Sequence, residues 1–241
     1  MSTALLIARR EFGSYFRSWL GPVLMAAVLL ADGILFYWKI GLDQKLLSAQ
    51  VLIEFFYNSS GPLMIAAIIL TIKLLAEERQ SGTLILLNTS PVKDRDIVAG
   101  KFLAAYGVLA ITTLLSVYMP LWIFVHGKVA LGHIVVGYVG LLLLGAAITA
   151  IGVFGSALAG SQVVAAILSA LMAAVFVLLW LLAKASEPPL NKYLSALAVH
   201  HENFRPFMQG ILLPSGVVFY VVFTYAFLFG AVKVLEARRW Q

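Results

Sequence analysis

The sequence predicts an all-α integral membrane protein with six transmembrane helices, an N-terminal interfacial elbow helix and a short water-exposed helix between spans 2 and 3. Three observations predict it. Of 241 residues, 62% are hydrophobic and 12% charged, whereas a water-soluble globule carries about a quarter of its residues as charges. The apolar residues fall into six continuous runs close to the ~20 helical residues that cross a bilayer, without the alternation that a closed barrel of strands requires. One charged island, Glu77 to Asp96, interrupts the apolar runs between the second and the third.

Segment 1–17 reads as an interfacial helix. Leu5, Ala8, Phe12, Tyr15, Phe16 and Trp19 recur at three- and four-residue spacing, with Arg9, Arg10 and Arg17 toward the other side, the pattern of a helix lying among headgroups. Its basic residues come late and no small-residue cleavage pattern follows, so a cleaved signal peptide is not expected. The spans are placed near 18–38, 60–76, 102–125, 134–158, 162–183 and 214–235. Span 2 is the shortest and continues helically through Lys73 and Glu77 into water. Asp32, the one acidic residue well inside a span, is a candidate intramembrane polar site, with Lys39 seven residues on along the same helical face.

In span 4, Gly145, Thr149, Gly152, Ser156 and Ala159 form a stripe of small residues that lets another backbone approach closely. The stripe suits either packing within the chain or a subunit seam. The outer segment, 185–213, opens with Glu187-Pro188-Pro189, which ends the preceding helix. It continues as an amphipathic helix through Leu190, Tyr193, Leu194 and Leu197, and closes with Phe204, Pro206, Phe207 and Met208, expected to cap a vestibule or dock an outside partner. His200 and His201 are adjacent and project about 100° apart on a helix. With His126 and His133 they make a poor chelating set, and no metal is expected. The absence of cysteine excludes disulfides and thiolate metal sites.

The net charge of +6 is a statement about topology rather than nucleic-acid binding. With a cytoplasmic N-terminus, eleven of the 17 Lys and Arg residues fall inside or at the inner edge: Arg9, Arg10, Arg17, Lys73, Arg79, Lys93, Arg95, Lys101, Lys233, Arg238 and Arg239. The other six are spread over longer outside segments. Both termini are therefore expected in the cytoplasm.

The island, 77–101 with its exit helix, continues span 2 into water. Gly82 permits a chain reversal, Thr83 to Leu87 forms a helical piece too short to span, and Ser90-Pro91 reads as a helix start with a serine cap and a proline in the first turn. Asp94 and Asp96 suit the positive end of that helix. Leu84, Leu86 and Leu87 in water ask for a cover.

The pattern Glu77-Glu78-Arg79-x-Ser81-Gly82-Thr83-Leu84-x-Leu86-Leu87-x-Thr89-Ser90-Pro91-Val92, followed by Ile97-Val98-x-Gly100-Lys101-Phe102, resembles the central loop of type-2 ABC transporter permeases. Within that family it is closest to the branch of the gliding-motility permease GldF and the nitrous-oxide-reductase maturation permease NosY. Arg9-Arg10-Glu11-Phe12 and Glu236-x-Arg238-Arg239-Trp240 resemble the family's two ends, so the likeness covers essentially the whole chain as one transmembrane permease domain. Ile85 departs from the pattern, standing where an acidic residue is common.

The resemblance implies a bacterial inner-membrane permease subunit that is not itself an enzyme. It implies a coupling helix in the 77–101 loop, docked on a cytosolic ABC ATPase that binds the ATP and magnesium, and a second permease, identical or homologous, beside this one. Thr83, Leu84, Leu86 and Leu87 are the expected docking contacts, with Glu78, Arg79, Lys93 and Arg95 as rim ion pairs. Ala99-Gly100-Lys101-Phe102 lacks both the earlier glycine and the following Ser or Thr of a phosphate loop, so this chain is expected to hold no cofactor. The expected work is export of a hydrophobic or amphipathic substrate, or mechanical transmission to an extracytoplasmic partner. A secondary transporter or channel, and a noncatalytic membrane scaffold, are the alternatives.

Overall fold

The computed structural model describes residues 2–42, 48–80, 92–127 and 129–238. Ten helices occur among them: α1 (Thr3–Arg17), α2 (Leu20–Leu42), α3 (Ser48–Gln80), α4 (Asp94–Leu115), α5 (Tyr118–His126), α6 (Leu131–Leu158), α7 (Gln162–Ala185), α8 (Leu190–Leu197), α9 (His201–Met208) and α10 (Pro214–Arg238). There is no strand among the described residues. Six helical segments are long and apolar enough to cross a membrane: α2, α3, α4 with α5, α6, α7 and α10.

The hub is α6, where 67% of the apolar stretch is buried, against 17% in each of α2 and α10. The sequence makes it so by removing side chains from one face. A Cβ on Gly152 would strike Thr71 of α3, so the two backbones touch where glycine stands. Four residues on, the Ser156 hydroxyl accepts from the amides of Leu75 and Ala76 at 3.1 Å each and donates to the Ile72 carbonyl. Gly145 meets Leu63 and Leu109, while Thr149 is fully buried and donates back to the Gly145 carbonyl. The stripe of span 4 thus packs within the chain.

Two spans differ markedly from their predicted extents. Helix α3 begins at Ser48, twelve residues before the predicted start of span 2, and runs through Pro62 to Gln80. Its 33 residues measure about 50 Å at 1.5 Å each, more than the hydrocarbon core requires. Glu54 and Asn58 make its first half look too polar for a span, yet Leu52, Phe55, Phe56 and Ser59 bury the opposite face. Span 3 is two helices, α4 and α5, broken at Ser116–Val117. Pro120 has no N–H to give to the Ser116 carbonyl, and the Met119 amide takes that place at 3.1 Å. Ser116 also shares a hydrogen bond with the Tyr138 hydroxyl of α6 at 2.9 Å. Helix α4 starts at Asp94 with Lys93 as its extended N-cap; Ser90-Pro91, the expected helix start, lies outside the described residues.

At the end of the bundle away from the termini, α8 and α9 fold back between the spans. The Val199 amide donates to the Phe176 carbonyl at 3.1 Å, and the Tyr220 hydroxyl donates to the Val199 carbonyl at 2.6 Å. Phe176 lies nine residues before the end of α7, so the chain dips about 14 Å below that end. Backbone can leave helical pairing at such depth only when its polar groups are satisfied by protein, which these two bonds do. Phe204 and Phe207 are fully buried and Met208 nearly so, with Phe207 lying over Gly140. This corrects the expectation that these residues cap a vestibule or face an outside partner: their rings complete the core of the bundle.

Candidate functional site

At the end that carries the termini, α1, α3 and α4 meet around a buried lysine. Lys101 belongs to a stripe, Ile97, Lys101, Ala104 and Val108, that α4 buries completely. An ammonium in such a place is costly unless it is paired. Its Nζ lies 2.8 Å from Oε1 of Glu78 on α3 and 3.5 Å from Oε1 of Glu11 on α1. Arg10 adds a second cation, 2.7 Å from Glu11 and 4.0 Å from Glu78. Burial alone would push the Glu11 carboxyl upward, but Lys101 and then Arg10 outweigh it and hold the group below its ordinary value.

Helix α1 is pressed onto α4 beside this cluster. A Cβ on Gly100 would come within 2.7 Å of both the Ala4 carbonyl oxygen and Ile7 Cβ. The Tyr15 hydroxyl of α1 donates to the Leu70 carbonyl of α3. Burial, and next the charges of Glu11 and Glu77, push its phenol upward, so it remains a neutral donor. A cavity of about 370 Å³, lined by Glu11, Tyr15, Lys73, Glu77, Glu78 and Lys101, opens beside the cluster. Leu5 and Phe16 of α1, and Trp19 just beyond it, stay exposed while Ala8 and Tyr15 are buried. The apolar stripe predicted for segment 1–17 is therefore divided between the protein and its surroundings.

Arg79, next to Glu78, reaches the other way. Its Nη1 donates to the Ala159 carbonyl just past α6 at 2.6 Å, and Arg238 of α10 donates to Leu158 at 2.9 Å. Two guanidinium groups thereby satisfy carbonyls at the negative end of the central helix. The last turn of α3 is thus fastened to α1, α4 and α6 just before the chain enters 81–91.

Of the predicted docking residues, Thr83, Leu84, Leu86 and Leu87 lie outside the described residues. Lys93 and Arg95 are exposed at the start of α4. Glu78 and Arg79 are turned inward and committed to Lys101 and Ala159, which corrects their assignment to a rim. Sequence reasoning missed the cluster, although a signal was present: Lys101 shares a helical face with three apolar residues, and such a lysine needs a carboxylate from another helix. Asp32 is elsewhere, 5% exposed in the seam between α2 and α3 and beside Asn58 and Ser59, with its Oδ1 unbonded. The side chain of its proposed partner Lys39 is outside the described set.

The outer histidines are separate. His133 Nε2 lies 2.7 Å from the Met208 carbonyl, His200 Nε2 lies 2.7 Å from the Ser60 hydroxyl, and His201 stacks on Trp180. No group of three or more metal-ligating side chains occurs among the described residues. The cluster of α1, α3 and α4 offers no nucleophile poised beside a base; it offers a rigid corner.

A family model described as ABC-2 family transporter protein matches residues 5–209. The chain belongs to the ABC-2 transporter family. That match spans every helix from α2 through α9 and nearly all of α1. As an ABC-2 family member the chain is a multi-pass membrane protein and the permease subunit of an ABC transporter, and the family implies an ABC ATPase as partner. No curated protein matches the chain.

Proposed function

We propose that this ABC-2 permease receives the closure of a cytosolic ATPase at its 81–91 loop and passes it to the spans through the corner built on Lys101. The observation that carries the reading is the triple tie of Lys101, Glu78 and Glu11, which makes α1, α3 and α4 move as one body at the root of that loop. Thr83, Leu84, Leu86 and Leu87 make the apolar contact with the ATPase, and exposed Lys93 and Arg95 orient it. Glu78 and Arg79 act one step further in, as struts between the loop and the bundle.

The protein sits in a bacterial inner membrane with both termini and the loop in the cytoplasm, as the Lys and Arg distribution supports. It works as a pair, with a second copy or a homologous permease. ATPase closure shifts the pair between two states by differential binding. The output is export of a hydrophobic or amphipathic substrate, since the spans hold few polar groups to line an aqueous pore. Export is favoured over mechanical transmission because Phe204 and Phe207 are spent inside the bundle and offer no docking face to an outside partner.

The test separates docking from transmission. Leu86→Asp should abolish co-purification with the cognate ATPase while leaving membrane insertion intact. The paired change Glu78→Gln with Lys101→Met should retain co-purification and lose ATP-driven transport in proteoliposomes. An ATPase that still binds Leu86→Asp, and is stimulated normally, would sink the placement of the coupling element.

A further inference from the structure

A second polar hollow lies at the far end, where α7 meets α8 and α9. Its volume is about 240 Å³, and Trp180, Lys184, Asn191, Ser195, His201 and Glu202 line it. That is below the size of a pocket for a drug-sized ligand, roughly 300 Å³ and more. Its walls are fixed. His201 stacks on the Trp180 indole with centroids 4.4 Å apart, and Lys184 Nζ stands 4.4 Å from the centre of the same ring. The Asn203 amide donates to the Ala196 and Ala198 carbonyls, which fastens α9 to the end of α8.

The hollow holds two opposite charges that do not pair. Neither Lys184 nor Glu202 forms an ion pair among the described residues, although both line the same space. Asn191 Oδ1 is buried there with no hydrogen-bond donor. A buried acceptor left without a donor is unfavourable. The site therefore presents an ammonium for an anion, a carboxylate for a cation, and a carbonyl oxygen that asks for an N–H or O–H.

A zwitterion whose anionic group is joined by a short linker to a primary ammonium meets all three demands, and among lipid headgroups phosphoethanolamine is the simplest of this kind. The phosphate faces Lys184, and the ammonium faces Glu202 and gives one N–H to Asn191. A quaternary ammonium has no N–H for Asn191, and a glycerol headgroup has no cation for Glu202. The surroundings identify the source as a lipid. Trp180 and Lys184 occupy the last two turns of a membrane-spanning helix, the headgroup level where such residues concentrate. Leu181 and Leu182 of α7 and Leu190, Tyr193 and Leu197 of α8 are exposed around it, an apolar apron for acyl chains.

We infer that this hollow is a binding site for the headgroup of a phosphoethanolamine lipid in the leaflet away from the termini, holding α8 and α9 against the end of α7. The inference stands apart from the proposed export cycle, since it concerns a resident lipid and not the cargo.

The test uses the delipidated full-length chain in non-ionic detergent, with dioleoyl phosphatidylethanolamine, phosphatidylcholine and phosphatidylglycerol titrated separately and bound lipid counted by native mass spectrometry. Phosphatidylethanolamine should bind about tenfold more tightly than either of the others, the scale of one charge-assisted hydrogen bond. Successive N-methylation of that lipid should lower its affinity step by step on the unaltered protein, which keeps the result independent of any variant's folding. Glu202→Gln and Asn191→Leu should each bring the three lipids near parity. Lys184→Gln should weaken all three, and Lys192→Gln, outside the hollow, should change nothing. Equal affinity for the ethanolamine and choline lipids, or a preference that survives both Glu202→Gln and Asn191→Leu, overturns the site. Soluble O-phosphoethanolamine that displaces the lipid at equal concentration overturns its assignment to a lipid.

Discussion

The two ends of this bundle are fastened by different physics. At the termini end, three helices converge on Lys101, and the tie is ionic: an ammonium, two carboxylates and a guanidinium within 4.0 Å of their partners. At the far end, α8 and α9 are held by buried aromatic rings and neutral hydrogen bonds, with Phe204 and Phe207 in the core and Val199 bonded through both its amide and its carbonyl. An ionic tie transmits force along defined directions and fails when one partner is removed, because the others are left charged and buried. An aromatic plug has no such asymmetry; it weakens in proportion to the volume taken out. The contrast suits the proposal that work enters at one end while the other stays closed, and four measurements can break or sharpen it.

The largest effect is expected from Lys101→Met. Removing the ammonium strands Glu11 and Glu78 beside each other and should cost about 3–5 kcal/mol, read as a loss of thermal stability in detergent. Adding Glu78→Gln should recover much of it. If the double variant is no more stable than the single one, the cluster is not behaving as a coupled ionic tie.

Phe207→Ala comes next, at about 3 kcal/mol from lost packing over Gly140. No neighbouring substitution of polar for charged residues should rescue it, whereas Phe207→Leu should recover part. A Phe207→Ala protein with an unchanged unfolding temperature would mean that α9 is not part of the core.

Acid should distinguish the ends more gently. The Glu11 carboxyl sits below its ordinary value of 4.5 in the folded protein, so its contribution is complete above that pH and is lost as pH falls through the lower folded value. The stability gap between wild type and Glu11→Gln should be constant at neutral pH and shrink below 4.5. A gap that persists unchanged in acid would separate Glu11 from the ionic tie.

The smallest effect belongs to Arg238→Ala, which removes one donor from the C-terminal carbonyls of α6. Being solvent-accessible and seconded by Arg79, it should cost less than ~1 kcal/mol. Arg79→Ala, with a partly buried bond to Ala159, should cost more. The reverse order would indicate that α10 anchors the hub more firmly than α3.

Much of this architecture was legible in the residues because lipid imposes strict demands on composition. The spans of α2, α6, α7 and α10 follow from unbroken apolar runs, and helix α8 from the three- and four-residue spacing of Leu190, Tyr193, Leu194 and Leu197. The first half of α3 was not legible: Glu54 and Asn58 dilute its hydropathy, and only packing of the opposite face makes the segment a helix inside the bundle. The break at Ser116–Val117 carried a signal in Pro120, but prolines also sit undisturbed within α3 and α9, so a proline alone does not say where a helix divides.

The candidate site divides along the same line. The loop and its apolar residues announce themselves locally, since Leu84, Leu86 and Leu87 stand out against the charges around them. The corner behind the loop does not, because Glu11, Glu78 and Lys101 are separated by 67 and 23 residues in the chain, and each alone looks like an ordinary charge at a membrane edge. By itself, then, the sequence determined that the chain carries six helices long and apolar enough to cross a membrane and one charge-rich segment between the second and third, because solvation depends on composition and short-range periodicity. Only the tertiary structure decided that Lys101 is buried and that Phe204 and Phe207 turn inward, because pairing and burial depend on which distant helices come to lie side by side.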